Sequence, residues 1–126
     1  MKPGLKSGDR ARFSMTVQPA DTVPALFADR NAFPEMPVVF ATANMVGLME
    51  WACVEQMRPF YEDGEGSLGV HVDVDHTAPT LPGQVVTVEL IDTDKRDVGV
   101  LGGCRNRCLA QRKADGDDHV VARIHE

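Results

Sequence analysis

From Arg10 to Val17 every second residue is apolar, with Ala11, Phe13, Met15 and Val17 on one face and polar side chains on the other. That period of two predicts a half-buried β-strand. The pattern then changes. Asp21-Thr22-Val23-Pro24 sets a capping residue ahead of an early proline, which predicts a short amphipathic helix to about Asp29. Pro34 and Pro37 disrupt either kind of ladder, so Asn31 to Pro37 reads as a loop presenting Phe33 and Met36.

The longest apolar run follows, from Phe40 to Val54. Its apolar residues recur at steps of three and four (Met45, Leu48 and Met49, then Ala52 and Cys53, then Met57), the spacing of a helix. The helix should run from near Thr42 to about Pro59, where the proline and the acidic, glycine-containing stretch from Glu62 to Gly66 end it. Its apolar positions cover more than one stripe, which predicts a helix surrounded by protein. Glu50 stands in the middle of this run. A carboxylate there is costly to bury unless it is paired or put to use.

Beyond the helix comes the cleanest alternation in the chain. Val70, Val72, Val74 and His76 share one face, and His71, Asp73, Asp75 and Thr77 the other. Pro79 and Pro82-Gly83 mark a turn before a strand from Gln84 to Ile91. Asp92 to Asp97 has turn composition, with Val98 to Leu101 a candidate to rejoin the sheet. Arg107 to Arg112 and His119 to Ile124 flank a turn around Gly116 and read as a hairpin. Strand, short helix, long helix, then antiparallel strands is the order of an α+β domain in which a curved antiparallel sheet clasps one long helix.

Length and charge narrow the functions open to it. A chain of 126 residues suits one domain with a single core. A net charge of -6 argues against nucleic acid or an anionic membrane surface as partner, while a small anionic ligand needs only a local cluster of Arg and Lys. No apolar stretch reaches the roughly 18 residues that span a bilayer, since Thr42, Asn44 and Glu50 interrupt the longest. The first nine residues carry no apolar signal region. An odd set of three cysteines, Cys53, Cys104 and Cys108, suits a reduced, cytoplasmic compartment.

Candidate chemistry centres on Thr42, Glu50 and His76. Thr42 and Glu50 are eight residues apart, about 12 Å along a helix and roughly 80° around it. Helical side chains lean towards the N-terminus, which tilts Glu50 back towards Thr42. His76 ends the sheet face that must cover this helix. A carboxylate, an imidazole and a hydroxyl converging there can activate water and hold a carbonyl, and the hydroxyl with the unpaired N–H groups of a helix start suits a thioester oxygen. The residues equally suit a structural Glu50–His76 pair with Thr42 as helix cap.

Other motifs carry less. Gly64-Glu65-Gly66-Ser67-Leu68-Gly69 has the spacing of a dinucleotide-binding loop, but it follows a helix and leads into a strand, among acidic residues that repel phosphate. Cys104 and Cys108, with His119 and His125, do not complete a zinc spacing, and the aspartates around Gly116 lack the further ligands of a calcium loop, so no metal is expected. Met36, Met45, Met49 and Met57 read as core filling.

Phe40-Ala41-Thr42, Met45-Val46-Gly47-Leu48-Met49-Glu50-Trp51-Ala52-Cys53, the Gly64 to Gly69 stretch and His76-Thr77-Ala78 together resemble the hotdog-fold thioesterases of the fluoroacetyl-CoA thioesterase type. The resemblance is densest from about Pro37 to Pro82. It implies a hotdog fold, an acyl-CoA substrate at the interface of a homodimer or larger oligomer, and thioester hydrolysis without a cofactor. It also implies a catalytic set of Thr42, Glu50 and His76, an acyl site lined by Gly69, and a lid-like segment from Phe33 to Pro37. Met36 and Asn44 stand where the fluoroacetyl-selective enzyme carries phenylalanines, so the acyl pocket should differ. The family's last strand continues past its His-Glu pair to an arginine, whereas this sequence ends at His125-Glu126; either the sequence is truncated before that arginine or another cation, such as Arg123, serves instead. A hydratase of the same fold would pair an aspartate and a histidine on the helix segment, and none lies between Thr42 and Val54. A non-catalytic acyl-CoA or small-ligand binding protein is the alternative of a different class.

Overall fold

The computed structural model describes residues 2–4, 6, 9–66, 73–74, 76–92, 106–109, 118–119 and 122–123, the last three segments through their backbone. Strand β1, Arg10–Thr16, pairs antiparallel with β3, Val85–Asp92, and β3 pairs antiparallel with β4, Asn106–Leu109. Strand β2, Asp73–Val74, pairs antiparallel with β6, Ala122–Arg123, while β5, Asp118–His119, adds a two-residue parallel ladder to β3. The expected hairpin is therefore not among the described ladders: β4 and β5 both lie along β3, and the turn around Gly116 falls outside the described residues, as do residues 93–105.

The period of two in β1 is a consequence of its register. Ala11, Phe13 and Met15 stand opposite Leu90, Val88 and Val86 on the core face. On the other face Arg12 forms an ion pair with Glu89, and the Ser14 and Thr87 hydroxyls meet at 2.8 Å. A slip of one residue would put these polar pairs against the core, so register and burial enforce each other.

Helix α1 runs Thr42–Met57 and continues as a 3-10 turn, Arg58–Phe60, which includes Pro59. Met45, Leu48, Met49, Ala52, Cys53 and Met57 are buried against Val86, Val88 and Leu90 of β3, with Val17 and Phe40 completing the core. Met45, Met49 and Met57 are core filling as expected, whereas Met36 is 48% exposed. The expectation of a helix surrounded by protein is corrected: Ala43, Gly47, Glu50 and Trp51 form an open face. The run is rich in small residues there, and small side chains blur the polar contrast that would have marked a solvent face. Trp51 is 50% exposed, although its ring sits edge-on to Phe13 at 4.6 Å.

At the helix C-terminus Arg58 donates to Glu55, and this hydrogen bond, before their charge attraction, holds the Glu55 carboxyl below its usual range. Its small contribution is present above the ordinary glutamate pKa and is lost as pH falls through the lowered one.

Between β1 and α1 the short amphipathic helix is absent. Three 3-10 turns take its place, Pro19–Asp21, Val23–Ala25 and Ala28–Arg30, with Phe27 and Asn31 at positive φ on either side of the last. Pro19 and Pro24 supply no N–H, and the Thr22 hydroxyl donates back to the Pro19 carbonyl at 2.7 Å, so each turn closes locally instead of propagating.

The Pro82-Gly83 turn is as expected. Gln84 N–H donates to the Leu81 carbonyl across it, and Gly83 has φ +90°. Proline then glycine in the two central positions is the type II arrangement, which requires positive φ at the second. Gly83→Ala should lower stability by about 1–2 kcal/mol, read as a reduced denaturation midpoint with an unchanged slope.

Candidate active site

Thr42 is held by the junction that precedes it. Val39 accepts from Val23 N–H at 2.9 Å, Ala41 N–H donates to the Asp21 carbonyl at 2.9 Å, and Phe40 N–H donates to the Thr80 carbonyl at 2.8 Å. Phe40, Ala41, Thr22 and Thr80 are all buried. The start of α1 is thus tied on one side to the segment after β1 and on the other to the segment after β2. The second tie also delivers His76, four residues before Thr80, to the beginning of the helix.

The meeting is direct. Thr42 Oγ1 lies 2.7 Å from His76 Nδ1. The helix cap is Ala41, which offers no side-chain hydrogen bond, and no acidic residue occupies the first turn. Thr42 is therefore not the cap that one reading of the sequence made it. Its hydroxyl is engaged by the histidine, and no capping side chain among the described residues bonds to the free N–H groups of the first turn. His76 Nε2 is buried without a hydrogen-bond partner among the described residues.

Glu50 lies on the exposed face of α1, two turns further along. The hydrogen bond of the His76 ring is to Thr42, and no partner for its other nitrogen lies among the described residues. Of the three expected catalytic residues, two come together and the third stands on the same helix, turned outwards.

Of the expected substrate-binding residues, Asn44 is half-buried in the first turn of α1, and Phe33 and Met36 are 37% and 48% exposed in the irregular segment leading into it. Gly69 falls outside the described residues, as do Val70, Val72 and the side chain of Arg123. Within the glycine-rich stretch, the Glu65 carboxylate accepts from Glu62 N–H at 2.9 Å, and that bond first of all holds its pKa below the usual range. A carboxylate kept charged between Gly64 and Gly66 opposes phosphate binding there. The positioning roles of Asp21, Thr22 and Thr80 were not foreseen from sequence. Thr80, bracketed by Pro79 and Leu81-Pro82, looked like part of a turn.

The profile of the fluoroacetyl-CoA-specific thioesterase family matches residues 17–100. The chain belongs to this family. It is 43% identical to the fluoroacetyl-CoA thioesterase of Streptantibioticus cattleyicolor over 128 aligned positions, covering all of this chain and 86% of the relative. A crystal structure of a point mutant of the fluoroacetyl-CoA-specific thioesterase, in complex with fluoroacetate and CoA, superposes with a TM-score of 0.78 at 40% identity, covering 94% of this chain and 90% of that one. A thioesterase superfamily member from Thermus thermophilus gives 0.62 at 33% identity over 77% of this chain and 66% of its own. The hotdog architecture and the thioester hydrolase class that the resemblance implied both stand on these likenesses. The matched span includes Thr42, Glu50 and His76. None of the helices among the described residues is long and apolar enough to cross a membrane.

Proposed function

We propose that residues 1–126 act as one cytoplasmic hotdog domain that hydrolyses a short acyl-CoA thioester to its carboxylate and CoA. The observation carrying this reading is the Thr42–His76 hydrogen bond at a helix start that has no side-chain cap, in a chain of a thioesterase family. Thr42 and the first-turn N–H groups meet the thioester oxygen, where negative charge grows as the carbonyl carbon becomes tetrahedral.

Glu50 supplies the base or the nucleophile. In one route it takes a proton from water as the water oxygen adds to the carbonyl carbon. In the other its own oxygen adds, and water then opens the resulting anhydride. Either way the C–S bond breaks, the thiolate leaves as CoA thiol after proton return through His76, and one water is consumed per carboxylate formed. Met36 and Asn44 line the acyl side with Phe33 and Gly69. Fluoroacetyl selectivity is not part of the proposal, because Met36 and Asn44 stand where the resemblance places phenylalanines.

The open face of α1, with Trp51 half exposed, supports a homodimer that covers it. Light scattering should then give a multiple of 13.8 kDa; a single-chain mass would remove the dimer from the proposal. The activity is tested by following thiol release from a panel of short acyl-CoAs. Release on at least one is expected. No release on any would overturn hydrolysis and favour an acyl-CoA binding protein.

A further inference from the structure

The two ring nitrogens of His76 are in different situations, and the difference locates a proton. Nδ1 is 2.7 Å from Thr42 Oγ1, while Nε2 is buried with no partner among the described residues. A neutral imidazole has one N–H donor and one bare acceptor nitrogen. The Thr42 hydroxyl can either donate or accept, so its contact with Nδ1 suits both tautomers. The choice is made at Nε2. A proton there would be a buried N–H with no acceptor among the described residues, a situation rarer in folded proteins than an under-used acceptor. A proton on Nδ1 has the threonine oxygen waiting for it and leaves only a lone pair without a partner.

We propose that the Nδ1–H of His76 donates to Thr42 Oγ1, so that Thr42 keeps its own proton free to donate to the thioester oxygen. This rests on the thioesterase reading above and assigns the direction of a bond that reading leaves open. The consequence is chemical. A threonine activated as nucleophile needs a histidine that accepts its proton. Here the ring presents a donor to the hydroxyl, so Thr42 is a hydrogen-bond donor to substrate and not the attacking group. The bare acceptor nitrogen of His76 is then Nε2, the one that does not meet Thr42.

Long-range proton–nitrogen NMR on the full chain with labelled histidine, without substrate, reads the proton directly. The expected spectrum has a pyrrole-type Nδ1 and a pyridine-type Nε2 for His76. The signal is assigned by its loss in His76→Gln or, should that variant not fold, by its displacement in Thr42→Ser. The reversed assignment, protons on both nitrogens, or an averaged pair of shifts would each overturn the proposal. With an acyl-CoA that is turned over, Thr42→Val should lower kcat by about 10²–10³-fold, Thr42→Ser should recover part of the loss, and acid-quenched wild-type enzyme should carry no acyl group on Thr42. An acyl-Thr42 adduct would overturn the donor role. The spectrum decides the proton's position whether or not thiol is released, so failure of the hydrolase reading is distinguishable from failure of this one.

Discussion

Glu50→Gln should lower thiol release by about 10²–10⁴-fold while leaving the melting temperature close to that of the wild type. Glutamine keeps the shape of glutamate but can neither take a proton from water nor add to a carbonyl. Glu50 lies on the exposed face of α1, whose core contacts come from Met45, Leu48, Met49, Ala52 and Cys53. Glutamine keeps the length and hydrogen-bonding capacity of glutamate on that face, so stability should change by no more than about 1 kcal/mol. Activity and stability are therefore expected to separate. A variant with wild-type turnover would remove Glu50 from the site while leaving the hydrolase in place. A variant with a much lower melting temperature would make Glu50 structural.

Phe40→Ala should do the reverse, costing about 3–5 kcal/mol of folding stability from the roughly 5–15 kcal/mol available to a domain. The Phe40 side chain is fully buried in the core shared by α1 and β3. Its backbone bridges to Thr22 and donates to Thr80. The ring fills the space in which two chain segments are fastened to the start of the helix. A cavity there loosens the support of Thr42 and His76 together, so residual activity should fall even where the variant remains folded. Urea unfolding measures the loss. A change below about 1 kcal/mol would contradict the burial of this ring.

Much of the fold was legible because local pattern and tertiary environment agree. The alternation in β1 matches its pairing with β3, and the step of three and four along α1 matches the buried row from Met45 to Met57. The segment from Pro19 to Arg30 was not legible. Asp21 carries a capping side chain, but it accepts from Gln18 N–H, within a turn that closes before Thr22. Capping residues and prolines serve 3-10 turns as well as helices, so their presence did not settle which would form.

Thr42 and Glu50 stood out from their own helix, Thr42 by opening it and Glu50 by being charged within an apolar run. Helical geometry fixes their separation whatever surrounds them. His76 stood out as the polar end of an apolar strand face. Residue pattern by itself determined that these side chains exist, on which elements, and with what chemistry available. It did not determine which of them touch. That followed from the hydrogen bond between Phe40 and Thr80, which brings together two segments far apart in the chain and seats His76 against Thr42. The same packing left Glu50 on an open face and His76 Nε2 buried without a partner among the described residues. Periodicity is a property of neighbouring residues and can be seen in a single strand or helix. Which nitrogen of a ring meets a hydroxyl depends on how two elements are fastened together, and only the tertiary structure decided it.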